Sequence, residues 1–355
     1  MQRSGHAIFL KEEAALQQKR DPPRKAPHGT MRHPASIRTT LCIAAAAIGL
    51  VSCGGSKQNR AAGGAQDTEH ALSIVCTMFP HYDFARAVGG SKVALHMLLK
   101  PGAEAHSYEP SPEDIKRIQK ADVFLYTGAE NDVWAEDILA SLQGRHPDTL
   151  RLLDCVTAKE EELVEGMQPE AAGEEEADES EYDEHVWTSP RNAIQIVRRI
   201  TDIYCAKDAE NAEYYRVNCD AYCAQLEQLD SAFRQTVAAG SRRTIVFGDR
   251  FPFRYFADEY GLSYFAAFPG CATDVEVNAQ TMKFLINKVR QENIPVVFSI
   301  ELSNGKIADA ICEATGAERQ TLYSCHNLTA QEFSAGESYV SFMQKNVEAL
   351  KKALD

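Results

Sequence analysis

Two histidines in this sequence stand where an imidazole could do chemistry. His106 lies in Pro101-Gly102-Ala103-Glu104-Ala105-His106-Ser107-Tyr108-Glu109-Pro110, flanked by the carboxylates of Glu104 and Glu109. His185 opens the stretch His185-Val186-Trp187-Thr188-Ser189-Pro190, directly after a long acidic run. Imidazole is the commonest protein ligand for transition metals, and a nearby acid can hold its second ring nitrogen. Alone, a loop histidine is more often a solvated surface residue, so the company it keeps decides. Asp249, Glu301 and His326 supply that company, each just beyond a strand-like run. His81 also follows a strand but reads as a helix-start residue, and His70, His96 and His146 have no partner pattern.

Residues so far apart in the chain converge only if strand-end loops gather them. Strand patterns at 72–76, 93–99 and 122–126 alternate with helical ones at 83–88, 112–119 and 134–142. After a helical stretch at 192–206, a pattern from 208 to about 238 places Tyr215, Asn218, Tyr222, Leu226, Leu229 and Phe233 on one stripe. Strands at 244–247, 262–268, 295–300 and 321–323 then alternate with helices up to 260 and at 279–291, 306–314 and 343–354. The fold class expected is α/β: two lobes with parallel sheets, joined by a long rigid backbone helix. Open parallel sheets place ligands at the strands' carboxyl ends, where the candidate residues stand.

Charge divides the chain. Residues 1–52 carry eight Lys/Arg against three Asp/Glu, while the whole chain has a formal net charge of −14. The acidic body repels nucleic acid and attracts cations. Thirteen of its acids, with no Lys or Arg, fall between Glu160 and Glu184, a run read as a solvated, cation-attracting loop. The apolar run 41–51 is preceded by Arg32 and Arg38 and followed by Ser52-Cys53-Gly54-Gly55, the layout of a secretory signal. The sequence Leu50-Val51-Ser52-Cys53 resembles a bacterial lipobox, which makes Cys53 the expected lipidated residue. The organisation expected is an upstream extension (1–30), a signal peptide (31–52), a flexible tether (53–71) and an N-terminal lobe (72–189) containing the acidic loop 160–184. Linking helices (190–240) and a C-terminal lobe (241–355) follow.

Beyond Cys53 there are eight cysteines, an even number that permits disulfides in an exported protein, with no Cys-x-x-Cys pair. His-Glu-x-x-His, Gly-x-Ser-x-Gly and phosphate-loop motifs are all missing, which argues against an exported zinc hydrolase. A surface adhesin is a third reading on which the residues are silent.

Taken together, the histidine loops, the long helix and the two α/β halves resemble the metal-binding solute-binding lipoproteins of zinc/manganese ABC importers, of the high-affinity zinc-uptake type. The resemblance covers roughly residues 72–355. Pro101-Gly102 with His106-Ser107-Tyr108-Glu109-Pro110 is similar to the family's first-ligand motif, and His185-Val186-Trp187 with Pro190 to its second. Tyr255-Phe256-Ala257 with Tyr260-Gly261-Leu262 matches the segment after the third ligand, and Ser338-Tyr339, Met343 and Asn346 resemble the closing helix. The family places His or Glu five residues before the tyrosine equivalent to Tyr255. Here that residue is Arg250, whose guanidinium offers no lone pair.

The resemblance implies a metal in the cleft between the lobes, held by His106, His185, Asp249 and His326. Asp249 has an equal alternative as a turn residue paired with Arg250 or Arg254. Glu301, Glu104 and Arg250 are supporting or alternative groups, with Glu301 holding an imidazole N–H and Arg250 a counter-charge or latch. The cargo implied is zinc, with manganese as the alternative. The partners implied are an ABC permease with its ATPase and, through Cys53, a membrane. The protein expected is an exported, lipid-anchored monomer without enzymatic activity.

Overall fold

The computed structural model describes residues 71–105, 107–128, 132–167, 182–272 and 276–355. The extension, the signal peptide, Cys53, the tether up to residue 70, His106 and positions 168–181 of the acidic run lie outside the described residues.

Leu72–Cys76 (β1), Val93–Met97 (β2), Val123–Tyr126 (β3) and Asp148–Arg151 (β4) form a sheet of order β2-β1-β3-β4 in which every pair is parallel. Thr244–Phe251 (β5), Ser263–Pro269 (β6), Val296–Ser299 (β7) and Glu318–Thr321 (β8) repeat that order as β6-β5-β7-β8, again all parallel. Strands β3 and β7 are buried throughout, as expected where helices cover both faces of a parallel sheet. In each sheet the strand order reverses beside the first strand. A ligand crevice therefore opens at the carboxyl ends of β1 and β3 and of β5 and β7.

Ten helices are described among these residues. The first sheet carries Phe79–Gly89 (α1), Pro112–Lys120 (α2) and Val133–Ser141 (α3). Two long helices, Pro190–Lys207 (α4) and Ala212–Ala239 (α5), lead into the second half. That half has Arg254–Tyr260 (α6), Ala279–Gln291 (α7), Lys306–Thr315 (α8), Ala330–Ala335 (α9) and Tyr339–Leu354 (α10). Capping sets where several of them start. Ser111 accepts from Asp114 N while the Asp114 side chain accepts from Ser111 N, and Ser189 precedes Pro190 at the first turn of α4.

The 28 residues of α5 span about 42 Å. Tyr215, Cys219, Tyr222, Leu226, Leu229 and Phe233 are buried along one stripe. Near its start, Asn218 donates to Val88 O of α1 at 2.9 Å and the Tyr222 hydroxyl to Asp83 at 3.1 Å. Near its end, Phe233 packs on Phe256 of α6 with ring centroids 4.8 Å apart. One apolar cluster runs from β1 through α5 to β5, so the two sheets share a core.

Three features depart from the sequence pattern. The edge strand β4 buries only Leu150 and has no alternation to reveal it, and the six-residue α9 is too short to show a period. Strand β5 continues past Phe247 to Phe251 through an irregularity between Phe247 and Arg250. Gly248 sits there because a Cβ would come within 2.5 Å of the Ala308 backbone of α8. The eight cysteines of the described residues are free thiols, with Cys219 and Cys223 Sγ 3.9 Å apart on successive turns of α5.

Candidate metal centre

The chain reaches His185 through a segment that leaves the first sheet and docks on elements of the second. Lys159 pairs with Asp258 at 2.6 Å and Glu162 with Arg254 at 3.4 Å, while Glu161 accepts from Cys271 N at 3.0 Å. The Tyr255 hydroxyl accepts from Lys159 N and donates to Asp183 O, at 3.0 and 2.9 Å. An antiparallel bridge between Glu160 and Tyr182 brings the two arms of the acidic run together. Both arms are anchored beside the site.

Asp183 then orients His185. Its carboxylate accepts from the His185 backbone N at 2.8 Å and lies 3.0 Å from Nδ1. An acceptor at Nδ1 selects the tautomer whose lone pair is on Nε2. Gly270 lies so close that a Cβ there would come within 2.9 Å of His185 Cε1, so only glycine allows the ring its place. Burial pushes the His185 imidazole down, but Asp183, by charge and hydrogen bond, with Glu184 and Glu161 beyond it, leaves it raised above its ordinary value.

His326 is oriented by a relay. Glu301, just beyond β7, accepts from Ser324 N and Ser324 Oγ at 2.6 Å each and from His326 N at 3.0 Å. Ser324 Oγ lies 2.7 Å from His326 Nδ1. With its hydroxyl proton committed to Glu301, the serine oxygen accepts from Nδ1–H, and the lone pair of His326 is again on Nε2. Between Ser324 and His326, Cys325 takes a left-handed φ of 64°, so the turn depends on the hydrogen bonds either side of it. Trp187 locks the two histidine segments together: its Nε1 donates to Ser324 O at 2.8 Å and its ring contacts both imidazoles.

The imidazoles of His185 and His326 meet edge to face with centroids 4.6 Å apart. Glu184 joins them, its Oε1 3.8 Å from His185 Nε2. One donor atom from each of Glu184, His185 and His326 lies within 4.8 Å of the others, and all three residues are buried. Tetrahedral zinc holds its donors about 3.3 Å apart, so a small contraction gives this group ligand geometry. Two neutral imidazoles and a carboxylate are a donor set that suits zinc.

The structure thus brings His185 and His326 together and adds Glu184, which the sequence alone assigns to the acidic run. The signal for it was position: it is the last acid before the apolar turn Val186-Trp187. Asp249 is not part of this three-residue group. Its Oδ1 accepts from Arg250 N at 2.9 Å and its Oδ2 from Ile300 N at 3.2 Å, so it braces the ends of β5 and β7, and burial raises its pKa. Glu301 holds the His326 loop through the Ser324 hydroxyl as well as the backbone. Arg250 reaches across to Glu104, with Nη2 and Oε2 3.2 Å apart. His81 is buried with Thr77 Oγ1 at 2.8 Å from Nδ1 and Thr127 Oγ1 at 3.2 Å from Nε2. Both its nitrogens are engaged inside the first lobe, and burial lowers its pKa to about 3.

A family model described as the periplasmic zinc-uptake complex component A, ZnuA, matches residues 74–353. The chain belongs to this family. The zinc-binding lipoprotein AdcA of Streptococcus pneumoniae is 30% identical over 322 residues, 90% of this chain and 60% of that protein. The chain thus spans less than two thirds of that relative. The high-affinity zinc uptake system protein ZnuA of Bacillus subtilis is 30% identical over 315 residues, 88% of this chain and 96% of that protein. The crystal structure of the Zn(II)-bound ZnuA-like domain of pneumococcal AdcA superposes with a TM-score of 0.66 at 28% identity, covering 81% of this chain and 100% of that one. The ZnuA-family fold is therefore the architecture of this chain, two parallel four-stranded sheets with surrounding helices and a long helix in their common core.

Proposed function

We propose that the protein captures one divalent metal ion, zinc, between its two lobes and delivers it to an ABC permease and its ATPase. The observation that carries this reading is the buried convergence of Glu184, His185 and His326, each imidazole held at Nδ1 so that Nε2 offers the lone pair. The proposed ligands are His185 and His326 through Nε2 and Glu184 through a carboxylate oxygen. His106 is proposed as a further imidazole. Its neighbour Ala105 borders the same small cleft as Glu301, Ser324 and His326, and Ala103 and Glu104 line that cleft too. Asp249, expected from the sequence as a ligand, is assigned here to bracing the strand ends. Family membership and the zinc-binding and zinc-uptake names of the two relatives support the cargo; more carboxylate oxygens would have favoured manganese.

No reaction is assigned to the site. The lipid anchor on Cys53, the exported location and the monomeric state belong to the same proposal, as do the lobe boundaries at 189 and 241. They rest on the leader-like sequence and on the relatives being lipoprotein or periplasmic by name. Membrane partition that survives Cys53→Ser would remove the anchor. The deciding experiment is metal content after chelator-free purification, followed by zinc and manganese competition. One tightly held zinc, lost in His185→Ala and His326→Ala, is the expected result. A protein that takes up neither metal, or whose zinc survives both substitutions, sinks the reading.

A further inference from the structure

Arg250 occupies the place where the family resemblance leads one to look for a metal ligand, and the structure gives it other work. Its Nη1 and Nη2 face the two carboxylate oxygens of Glu104 at 3.4 and 3.2 Å, a fork-to-fork pairing. Nη1 also donates to Ala272 O at 3.2 Å, which fixes the guanidinium from the side of the second sheet. The arginine side chain is 13% exposed and the glutamate 49%. Glu104 belongs to the loop after β2, in the first lobe, and Arg250 to the end of β5, in the second. This ion pair joins the lobes.

The same loop is tied to the second lobe at another point. Asn327 Nδ2 donates to Lys100 O and Ala103 O at 2.8 Å each, and Gly102 N donates to Leu328 O at 2.8 Å. Residues 100–104 are therefore seated by neutral hydrogen bonds on one side and by a charged pair on the other. Glu104 and Arg250 together line both the cleft that holds His326 and a neighbouring cavity of about 200 Å³ bordered by Asp249, Ser303 and Lys306. The pair is the partition between them.

We propose that Arg250 is a positioning residue. Through Glu104 it clasps the first lobe's loop over the metal donors, and so sets how fast bound metal leaves. This rests on the proposed function for its metal arm alone, because the clasp exists in the protein without metal. A pair that is half exposed is worth modestly less than a buried one and is screened by salt. The expected effect is accordingly a few-fold change in rate, not loss of binding.

The test combines two measurements on wild type, Arg250→Gln, Glu104→Gln, the double variant and the exchanged pair Arg250→Glu with Glu104→Arg. The first is zinc release into excess chelator by stopped flow, at low and high salt. Each single variant should release zinc about three- to tenfold faster at low salt with little change in association. The double variant should be no faster than the singles, the exchanged pair should recover part of the loss, and high salt should shrink the differences. The second is amide hydrogen exchange of a peptide covering residues 100–110 in metal-free protein, where both singles should lose protection together. Additive single effects, no recovery on exchange, or wild-type protection in both singles overturns the clasp. If wild type holds no zinc, the proposed function fails while the exchange measurement still decides the clasp.

Discussion

Replacing Glu301 by Gln separates the site's architecture from the stability of the fold. Glu301 is half-buried and accepts three hydrogen bonds, from Ser324 N, Ser324 Oγ and His326 N. Burial raises its pKa, and the Ser324 and His326 donors only partly offset this, so the ionised carboxylate is costly to the native state. A folded-state pKa above the unfolded one means that this group's contribution to stability is greatest at low pH and declines as pH rises. Glutamine removes that cost but turns one acceptor oxygen into a donor nitrogen. Either Ser324 N–H or the pair formed by Ser324 Oγ and His326 N–H then faces another donor. A hydrogen bond to a charged group is worth about 1.5–3 kcal/mol, and here its loss is set against the relief of a buried charge. The melting temperature of the metal-free protein should therefore move by only a few degrees. Zinc affinity has no such compensation, because in either amide orientation Ser324, whose oxygen accepts from His326 Nδ1, loses an acceptor, at its hydroxyl or at its backbone N–H. Disturbing the group behind a ligating histidine typically costs 10–100-fold in metal affinity, about 1.4–2.7 kcal/mol. Isothermal titration with a competing chelator reads the affinity, and scanning calorimetry of the apo protein reads the stability. An affinity within twofold of wild type, at unchanged melting temperature, would refute the relay.

Acidification should weaken zinc binding as protons compete for His185 Nε2. Because Asp183, Glu184 and Glu161 leave that imidazole raised despite its burial, the decline should begin above the ordinary histidine value, and Asp183→Asn should move it to lower pH; competition titrations across pH 5–8 check both. Glu184→Gln should cost at least tenfold in zinc affinity, whereas Asp249→Ala should leave affinity near wild type while destabilising the fold by about 1–3 kcal/mol, since Arg250 N and Ile300 N lose their acceptor. The reverse ranking in titration and denaturant unfolding would restore Asp249 as the ligand. Replacing residues 168–181 by a short Gly-Ser turn should slow zinc association at low salt and leave equilibrium affinity unchanged, because the Glu160–Tyr182 bridge already closes the acidic segment at its base. A loss of affinity at unchanged association rate would mean that the deleted stretch supplies a ligand.

The parts of this fold that were legible in the sequence are those whose burial is periodic. The stripe on α5 names its buried face residue by residue, and β1, β3 and β7 are short apolar runs bounded by turns. Strand β4 could not be read, because as an edge strand it buries Leu150 alone. Of the proposed site, the two histidines that converge were legible: His185 sits in a distinctive turn, and the strand-end segment at His326 offers only one imidazole. Glu184 was hidden by its own neighbours. A buried carboxylate within a run of thirteen acids has no local mark, and the fold alone shows that Asp183 and Glu184 are buried. Asp249 is the opposite case: it stands at a strand end as a ligand would, and its oxygens accept from backbone N–H groups that no sequence pattern displays.

The position of Glu184 and His185 also bears on how the lobes can move. In chain order both residues precede α4 and so belong with the first lobe. Yet the arms that lead to them are fixed to the second by Lys159–Asp258, Glu162–Arg254 and the Tyr255 hydroxyl. His326 is fixed to the same body by Glu301, and Trp187 links the two histidine segments directly. The three proposed donors are therefore linked to one another and, through these contacts, to the second lobe. A motion that opens the cleft need not separate them, and what it can withdraw is the loop of residues 100–104, held by Asn327, Leu328 and Arg250. On the proposed function and the proposed clasp, release of metal would depend less on pulling ligands apart than on lifting that loop, against three neutral hydrogen bonds and one ion pair.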